Sequence, residues 1–213
     1  KAFEKLLVRI ADVQPKTILE FGGGISTVRL AMAFPHVKIV SIENDTQVLQ
    51  RTKRLLATYV EHHHTSIVQR PLSWQRWGAG LYASYAPISS FTSVVDVVLI
   101  DGPPHRTQRG REACLYQVAH RLRGGSLVIL DDLVRSSEQK ICENWQRIFP
   151  GTFDLSFHDV GHHLAFLKVL KQPKPHWLNL KVICDNALVL MKLLKHPRYA
   201  FTLRTPVRVS KKS

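Results

Sequence analysis

The chain has 213 residues, 45% apolar and 22% charged, which excludes a disordered segment and provides enough apolar surface for one packed core. Its apolar runs are only a few residues long, too short for a membrane-spanning helix. Three well-separated cysteines, Cys114, Cys142 and Cys184, exclude a disulfide scaffold and point to a reducing, cytoplasmic setting. Thirty Lys and Arg against 16 Asp and Glu leave a net charge of +14, so the partners that remain are anionic: nucleic acid, acidic lipid or a small anionic substrate.

In chain order, residues 2–12 carry the spacing of a helix that ends at Gln14-Pro15. Thr17–Phe21 is a short buried strand, Ser26–Phe34 a helix, and Val37–Ile42 a second strand closed by Glu43. Val48, Leu49, Leu55, Leu56 and Tyr59 recur at three- and four-residue steps, predicting a helix from about Asp45 to Glu61. Ser66–Gln69 is a third strand, and the stretch holding Trp74, Trp77, Tyr82 and Tyr85 is expected to be a loop. Val94–Ile100 is the most apolar strand; Arg109–Leu122 is a helix, Ser126–Leu130 a strand and 136–148 a helix. Thr152–Phe157 and His163–Val169 are expected to pair through a turn at Asp159-Val160-Gly161. Near-continuous apolar strands alternating with helices predict an α/β chain with a parallel sheet covered on both faces. The crossover rule then gathers residues 20–27, 43–45, 70–85, 101–111 and 131–135 at one sheet edge.

Residues 1–170 are expected to form this domain, and 171–213 a basic C-terminal extension. Lys168, Lys171, Lys174, Lys181, Lys192, Lys195, Arg198, Arg204, Arg208, Lys211 and Lys212 oppose only Asp185 after residue 167. Leu180, Ile183, Ala187, Leu190 and Leu194 give residues 176–195 an amphipathic helical pattern. Docking on the body or on a second subunit is the expected use, with an anionic membrane surface or RNA as alternatives.

The stretch Glu20-Phe-Gly-Gly-Gly-Ile-Ser26-Thr27 joins the first strand to its helix. Glycines at this place let a ligand reach bare backbone N–H groups and the positive end of a helix. Dinucleotides and S-adenosylmethionine are the two ligand classes that use such a turn. Glu20 would repel a pyrophosphate but suits the ammonium of a methionyl group, whereas Glu43 can accept the ribose hydroxyls of either. On these residues the chain resembles the class I S-adenosylmethionine-dependent methyltransferases. Glu20–Ser26 is similar to their first motif, Ser41-Ile-Glu43-Asn-Asp to the second, Val97–Pro104 to the fourth, and Gly124–Asp132 to the strand after it. The resemblance covers about residues 2–170. It implies a Rossmann-like, doubly wound sheet of seven mostly parallel strands with an antiparallel C-terminal hairpin. It also implies a cofactor held by Glu20, Gly22, Gly23, Gly24, Ser26, Thr27, Glu43, Asn44 and Asp101.

The acceptor is expected over the fourth and fifth strands of that sheet. Asp101-Gly-Pro-Pro departs from the Asn/Asp-Pro-Pro-aromatic tetrad of enzymes that methylate the amines of nucleic-acid bases, which makes RNA the weaker acceptor. Asp101, Asp131 and Asp132 resemble the carboxylates with which small-molecule O-methyltransferases bind Mg²⁺ or a similar ion; equally, they cap the next helix and orient the loop. His105 is a candidate general base, alongside Asp101 and Asp131 as catalytic candidates. Arg106, Arg109 and Arg111 form either an anion site for a phosphorylated or acidic sugar acceptor or a solvated face. A non-catalytic module that keeps the cofactor fold and an NAD-dependent oxidoreductase are the competing classes.

Overall fold

The computed structural model describes residues 2–88, 93–158, 164–177 and 179–195. The Asp159-Val160-Gly161 turn, His162, His163 and the basic residues from Arg198 onward lie outside them. Helix α1 spans Ala2–Ala11, β1 Thr17–Phe21, α2 Ile25–Ala33, β2 Lys38–Glu43, α3 Thr46–Tyr59 and β3 His64–Gln69. There follow β4 Leu72–Trp77, β5 Gly80–Tyr85, β6 Val97–Ile100, α4 Gly110–Val118 and β7 Leu127–Leu130. The chain continues through α5 Ser136–Ile148, β8 Phe153–His158, β9 Leu164–Val169 and α6 Leu180–Lys195.

Seven strands form one sheet in the order β3-β2-β1-β6-β7-β9-β8. The first five are parallel, β9 runs antiparallel to β7, and β8 antiparallel to β9. Strands β1, β6 and β7 are buried along their whole length, which is why TILEF, VVLI and LVIL carry apolar residues on both faces rather than alternating. Helices α1, α2 and α3 cover one face through Leu6, Ile10, Val28, Leu30 and Leu56. Helices α4, α5 and α6 cover the other through Leu115, Val118, Ile141, Trp145 and Val182. Strand order reverses between β1 and β6, so a crevice opens at their carboxyl ends.

The expected loop at 70–85 is instead an antiparallel hairpin, β4 with β5, outside the main sheet. Its alternation was hidden because the inward positions include Ser73, Gln75 and Ser84. These polar side chains are satisfied locally: Gln75 Nε2 donates to Ser73 Oγ (2.6 Å) and Ser84 Oγ to the Gly110 carbonyl (2.8 Å). Tyr82 and Tyr85 consequently pack in the core. The hairpin lies over α4, every residue of which is buried.

Helix α6 forms as predicted and docks on β5, with only part of the expected stripe turned inward. Among its described side chains Val182 and Asn186 are buried, and the Asn186 amide both accepts from Leu81 N and donates to Leu81 O, each at 2.9 Å. Leu180, Leu188 and Met191 face outward. Of the expected stripe, Ile183 and Leu190 are half-buried. Among the described residues no helix is long and apolar enough to cross a membrane.

Candidate functional site

The glycine turn is built by close backbone approach. Gly22 has φ 98°, and a Cβ there would sit 2.7 Å from Gly102 N and 2.9 Å from the Asp101 carbonyl carbon. The Phe21 carbonyl accepts from both Asp101 N (2.9 Å) and Gly102 N (2.7 Å), tying the ends of β1 and β6 together. At Gly23 a Cβ would meet Ser41 Oγ at 2.7 Å, whereas Gly24 faces open space. Three consecutive glycines thus serve different ends: two permit packing and the third leaves room.

Glu20 is wholly buried, accepting from Ser26 Oγ (2.6 Å) and from Thr27 Oγ1. Burial pushes its carboxyl up, and the hydroxyls partly offset this. The side chain expected to meet a ligand ammonium therefore braces the turn from beneath. Thr27 completes the brace by accepting from Gly24 N (3.0 Å) and lying 3.2 Å from Ser41 Oγ. Glu43 ends β2 and accepts from Asn44 N (2.6 Å) and Asp45 N (2.7 Å), while burial raises its pKa. Asp45 caps α3 by accepting from Gln47 N and Val48 N.

Across the crevice, the Asp101 and Asp132 carboxylates and the Asp131 backbone carbonyl come together around a guanidinium. Arg111 donates to the Asp101 carbonyl (2.7 Å), the Asp101 carboxylate (3.3 Å) and the Asp131 carbonyl (3.1 Å), and pairs with Asp132 (3.0 Å). Arg135 Nη1 lies 2.6 Å from the same Asp132 oxygen. The donor set does not fit a divalent ion, because the cation between Asp101 and Asp132 belongs to the chain itself. Among the described residues no group of three or more His, Cys, Asp or Glu side chains is placed to hold a metal.

Of the three arginines expected to bind an acceptor, only Arg106 is exposed. Arg109 is buried in a bidentate pair with Glu112, and Arg111 is only 5% exposed. Arg109 lies under the β4–β5 hairpin, against the Tyr82 ring, whereas Arg111 is turned to the loops that follow β6 and β7. His105 lies on a short 3₁₀ turn, half-exposed, with Nδ1 3.8 Å from Glu138 Oε1.

A cavity of about 160 Å³ opens between α1, α2 and the ends of β6 and β7. Its polar lining is Ser26, Arg29, Asp101 and Asp131, and Phe3 and Leu6 form apolar wall. Arg29, whose guanidinium stacks 4.4 Å from the Phe3 ring centroid, escaped sequence reasoning, as did Glu138. Arg29 follows Ser26 by three residues and so shares its helical face, a signal that was available. Burial first, and then the Asp131 carboxylate, push the Asp101 carboxyl up to about 7.

The strand order, with its reversal at β1 and β6 and an antiparallel final pair, decides the architecture. The fold is that of the class I methyltransferases. No family model matches the chain and no curated protein matches it in sequence. Among solved structures, it is similar to the O-methyltransferase TomG of Streptomyces achromogenes, involved in tomaymycin synthesis and solved with S-adenosylmethionine. The two are 17% identical over 78% of each chain, with a TM-score of 0.58. The Podospora anserina methyltransferase PaMTH1, bound to S-adenosylhomocysteine, is 13% identical over 76% of this chain and 75% of its own, with a TM-score of 0.56. A Streptococcus thermophilus rRNA methylase is 10% identical over 80% of this chain and 98% of its own, with a TM-score of 0.58. At these identities it is the methyltransferase fold that is shared.

Proposed function

We propose that the protein transfers a methyl group from S-adenosylmethionine to a hydroxyl of a small, anionic or sugar-containing acceptor. The observation that carries this reading is the cavity beside the glycine turn, whose lining holds a guanidinium and two carboxylates within one small volume. That charge pattern complements an amino-acid zwitterion: Asp101 toward the ammonium and Arg29 toward the carboxylate. Gly24 leaves space for the nucleoside and Glu43 stands at the end of β2 to accept ribose hydroxyls. A diphosphate would find two carboxylates instead.

S-adenosylmethionine supplies, when bound, an electrophilic sulfonium methyl. The chain's part is to align an acceptor oxygen with that methyl and to take its proton, since displacement depends chiefly on alignment. His105, half-exposed beside the Asp101 loop, is the candidate proton acceptor. Arg106 is the arginine of the original three left at the surface to meet an acidic acceptor. RNA remains the second reading on the strength of the +14 charge alone, and Asp101-Gly-Pro-Pro still argues against base amines.

The test exploits Asp101. Its raised pKa means that it is increasingly protonated in the free protein as pH falls through about 7, whereas an ammonium needs the carboxylate. Binding must then release a proton, so S-adenosylhomocysteine affinity is expected to fall by up to about tenfold per pH unit below that point. Calorimetry across pH checks this, with Asp101→Asn expected to bind weakly and without the pH slope. A flat profile in the unmodified protein would remove Asp101 from the cofactor site. Methyl transfer from labelled cofactor to a panel of acidic and phosphorylated sugars, with RNA as comparison, then decides the acceptor class.

A further inference from the structure

Glu138, near the start of α5, is a buried acid outside the cavity lining. Its side chain has zero exposure, and its Oε1 makes no hydrogen bond. Three basic groups surround that oxygen just beyond bonding distance: His105 Nδ1 at 3.8 Å, Arg135 Nη1 at 3.8 Å and Arg111 Nη1 at 3.9 Å. Its other oxygen accepts from Ser137 Oγ. A buried carboxylate oxygen without a hydrogen bond is costly, and native proteins seldom leave one so without a use. Of the three neighbours, the arginines are already committed. Arg111 bonds Asp101 and the Asp131 carbonyl, and both arginines bind Asp132. The half-exposed imidazole is the group free to complete the bond.

We propose that Glu138 is the positioning residue of His105: it accepts the Nδ1 proton and leaves Nε2 as the basic nitrogen for the acceptor hydroxyl. This inference rests on the proposed methyl transfer and names a residue that assigns its proton path. The oxygen–methyl bond forms as the methyl–sulfur bond breaks, with the electron pair staying on sulfur. The hydroxyl proton passes to His105 Nε2, and the resulting imidazolium is held against the Glu138 carboxylate. A base whose tautomer is set by a buried acid is the arrangement in which loss of the acid leaves geometry intact but presents the wrong nitrogen. The charged groups that bear on the pair are Arg111 from α4 and Arg135 at the N-cap of α5, with Arg106 next in the chain. Asp132, which binds both Arg111 and Arg135, is the anion that keeps them from neutralising Glu138 fully.

Nitrogen-15 shifts of the His105 ring in the full chain, recorded at alkaline pH, test this directly. In the unmodified protein the proton is expected on Nδ1. Glu138→Ala should move it mainly to Nε2 and lower kcat about 100-fold, within the usual range for general-base effects, with acceptor KM and S-adenosylhomocysteine affinity unchanged. Glu138→Asp should keep the tautomer and part of the rate. A ring protonated on Nε2 in the unmodified protein, or an unchanged tautomer in Glu138→Ala, overturns the proposal. Arg135→Gln, at a side chain 38% exposed, covers the case in which Glu138→Ala does not fold. Removing that competing cation should shift the Nδ1 proton resonance downfield, and no movement counts against the pairing. Failure to bind S-adenosylhomocysteine would sink the methyl-transfer reading while leaving the tautomer result to stand or fall by itself.

Discussion

Glu112→Ala is expected to destabilise the protein by about 3–5 kcal/mol, the usual cost of stripping one partner from a buried ion pair. Glu112 is wholly buried and is the acceptor at the centre of a polar cluster under the hairpin. Arg109 grips it through two nitrogens, Tyr116 Oη donates at 2.6 Å, and Tyr82 Oη and Asn144 Nδ2 lie at 3.3 Å. Its backbone carbonyl accepts from Trp145 Nε1 at 3.0 Å, so α4, α5 and the hairpin meet at one residue. Its removal strands a guanidinium that is 4% exposed and whose Nη1 already lacks a hydrogen-bond partner. Against a typical total stability of about 5–15 kcal/mol, such a loss is read easily from the urea midpoint. A loss below about 1 kcal/mol would mean that Arg109 escapes to water and that α4 is less enclosed than described. The paired change Arg109→Met with Glu112→Leu should recover much of the loss, because an apolar pair leaves no charge behind.

Gly22→Ala and Gly24→Ala are expected to separate packing from binding. At Gly22 the added Cβ meets backbone atoms of Asp101 and Gly102 at 2.7–3.0 Å, and the positive φ of 98° opposes any L side chain. Neither backbone segment can yield without parting β1 from β6. A loss of roughly 1–3 kcal/mol is expected from overpacking, with strain adding to it, together with loss of S-adenosylhomocysteine binding. At Gly24 the backbone is extended, with φ 168°, and nothing lies within 4 Å of the new Cβ. That variant should melt close to the parent yet bind the ligand at least tenfold more weakly, because the methyl occupies ligand space. Thermal midpoints and calorimetry on the two variants check both halves. Equal behaviour of the two would deny that Gly24 faces the ligand.

Much of the architecture was legible because the strands of a parallel sheet are buried on both faces and announce themselves as unbroken apolar runs. TILEF, VVLI and LVIL could hardly be anything else, and the Glu20–Thr27 turn follows the first of them as a strand-to-helix connection should. The hairpin at 72–85 escaped because Ser73, Gln75 and Ser84 face inward, satisfied by bonds that only the folded chain supplies. That one omission had consequences at the site. Without a cover over α4, Arg109 reads as basic surface, whereas the hairpin encloses it beside Glu112; Arg111 is drawn inward by Asp101 and Asp132 instead. Glu20 was placed correctly at the strand end. Its direction was not legible, because the hydroxyls of Ser26 and Thr27 compete for the carboxylate that a ligand ammonium was expected to claim. Arg111 likewise shows why three aspartates at neighbouring strand ends do not by themselves make a metal site: a cation elsewhere in the chain can reach them first.

The proposed methyl transfer depends on a crevice that prefers an amino-acid tail to a diphosphate, with Asp101 and Arg29 at opposite signs inside one small cavity. Titrating the protein at pH 8 with S-adenosylhomocysteine and, separately, with NAD measures that preference. Saturable binding of the first, weakened at least tenfold by Arg29→Glu, and no heat from the second is the predicted result. Binding of NAD, or of neither nucleotide, would contradict it.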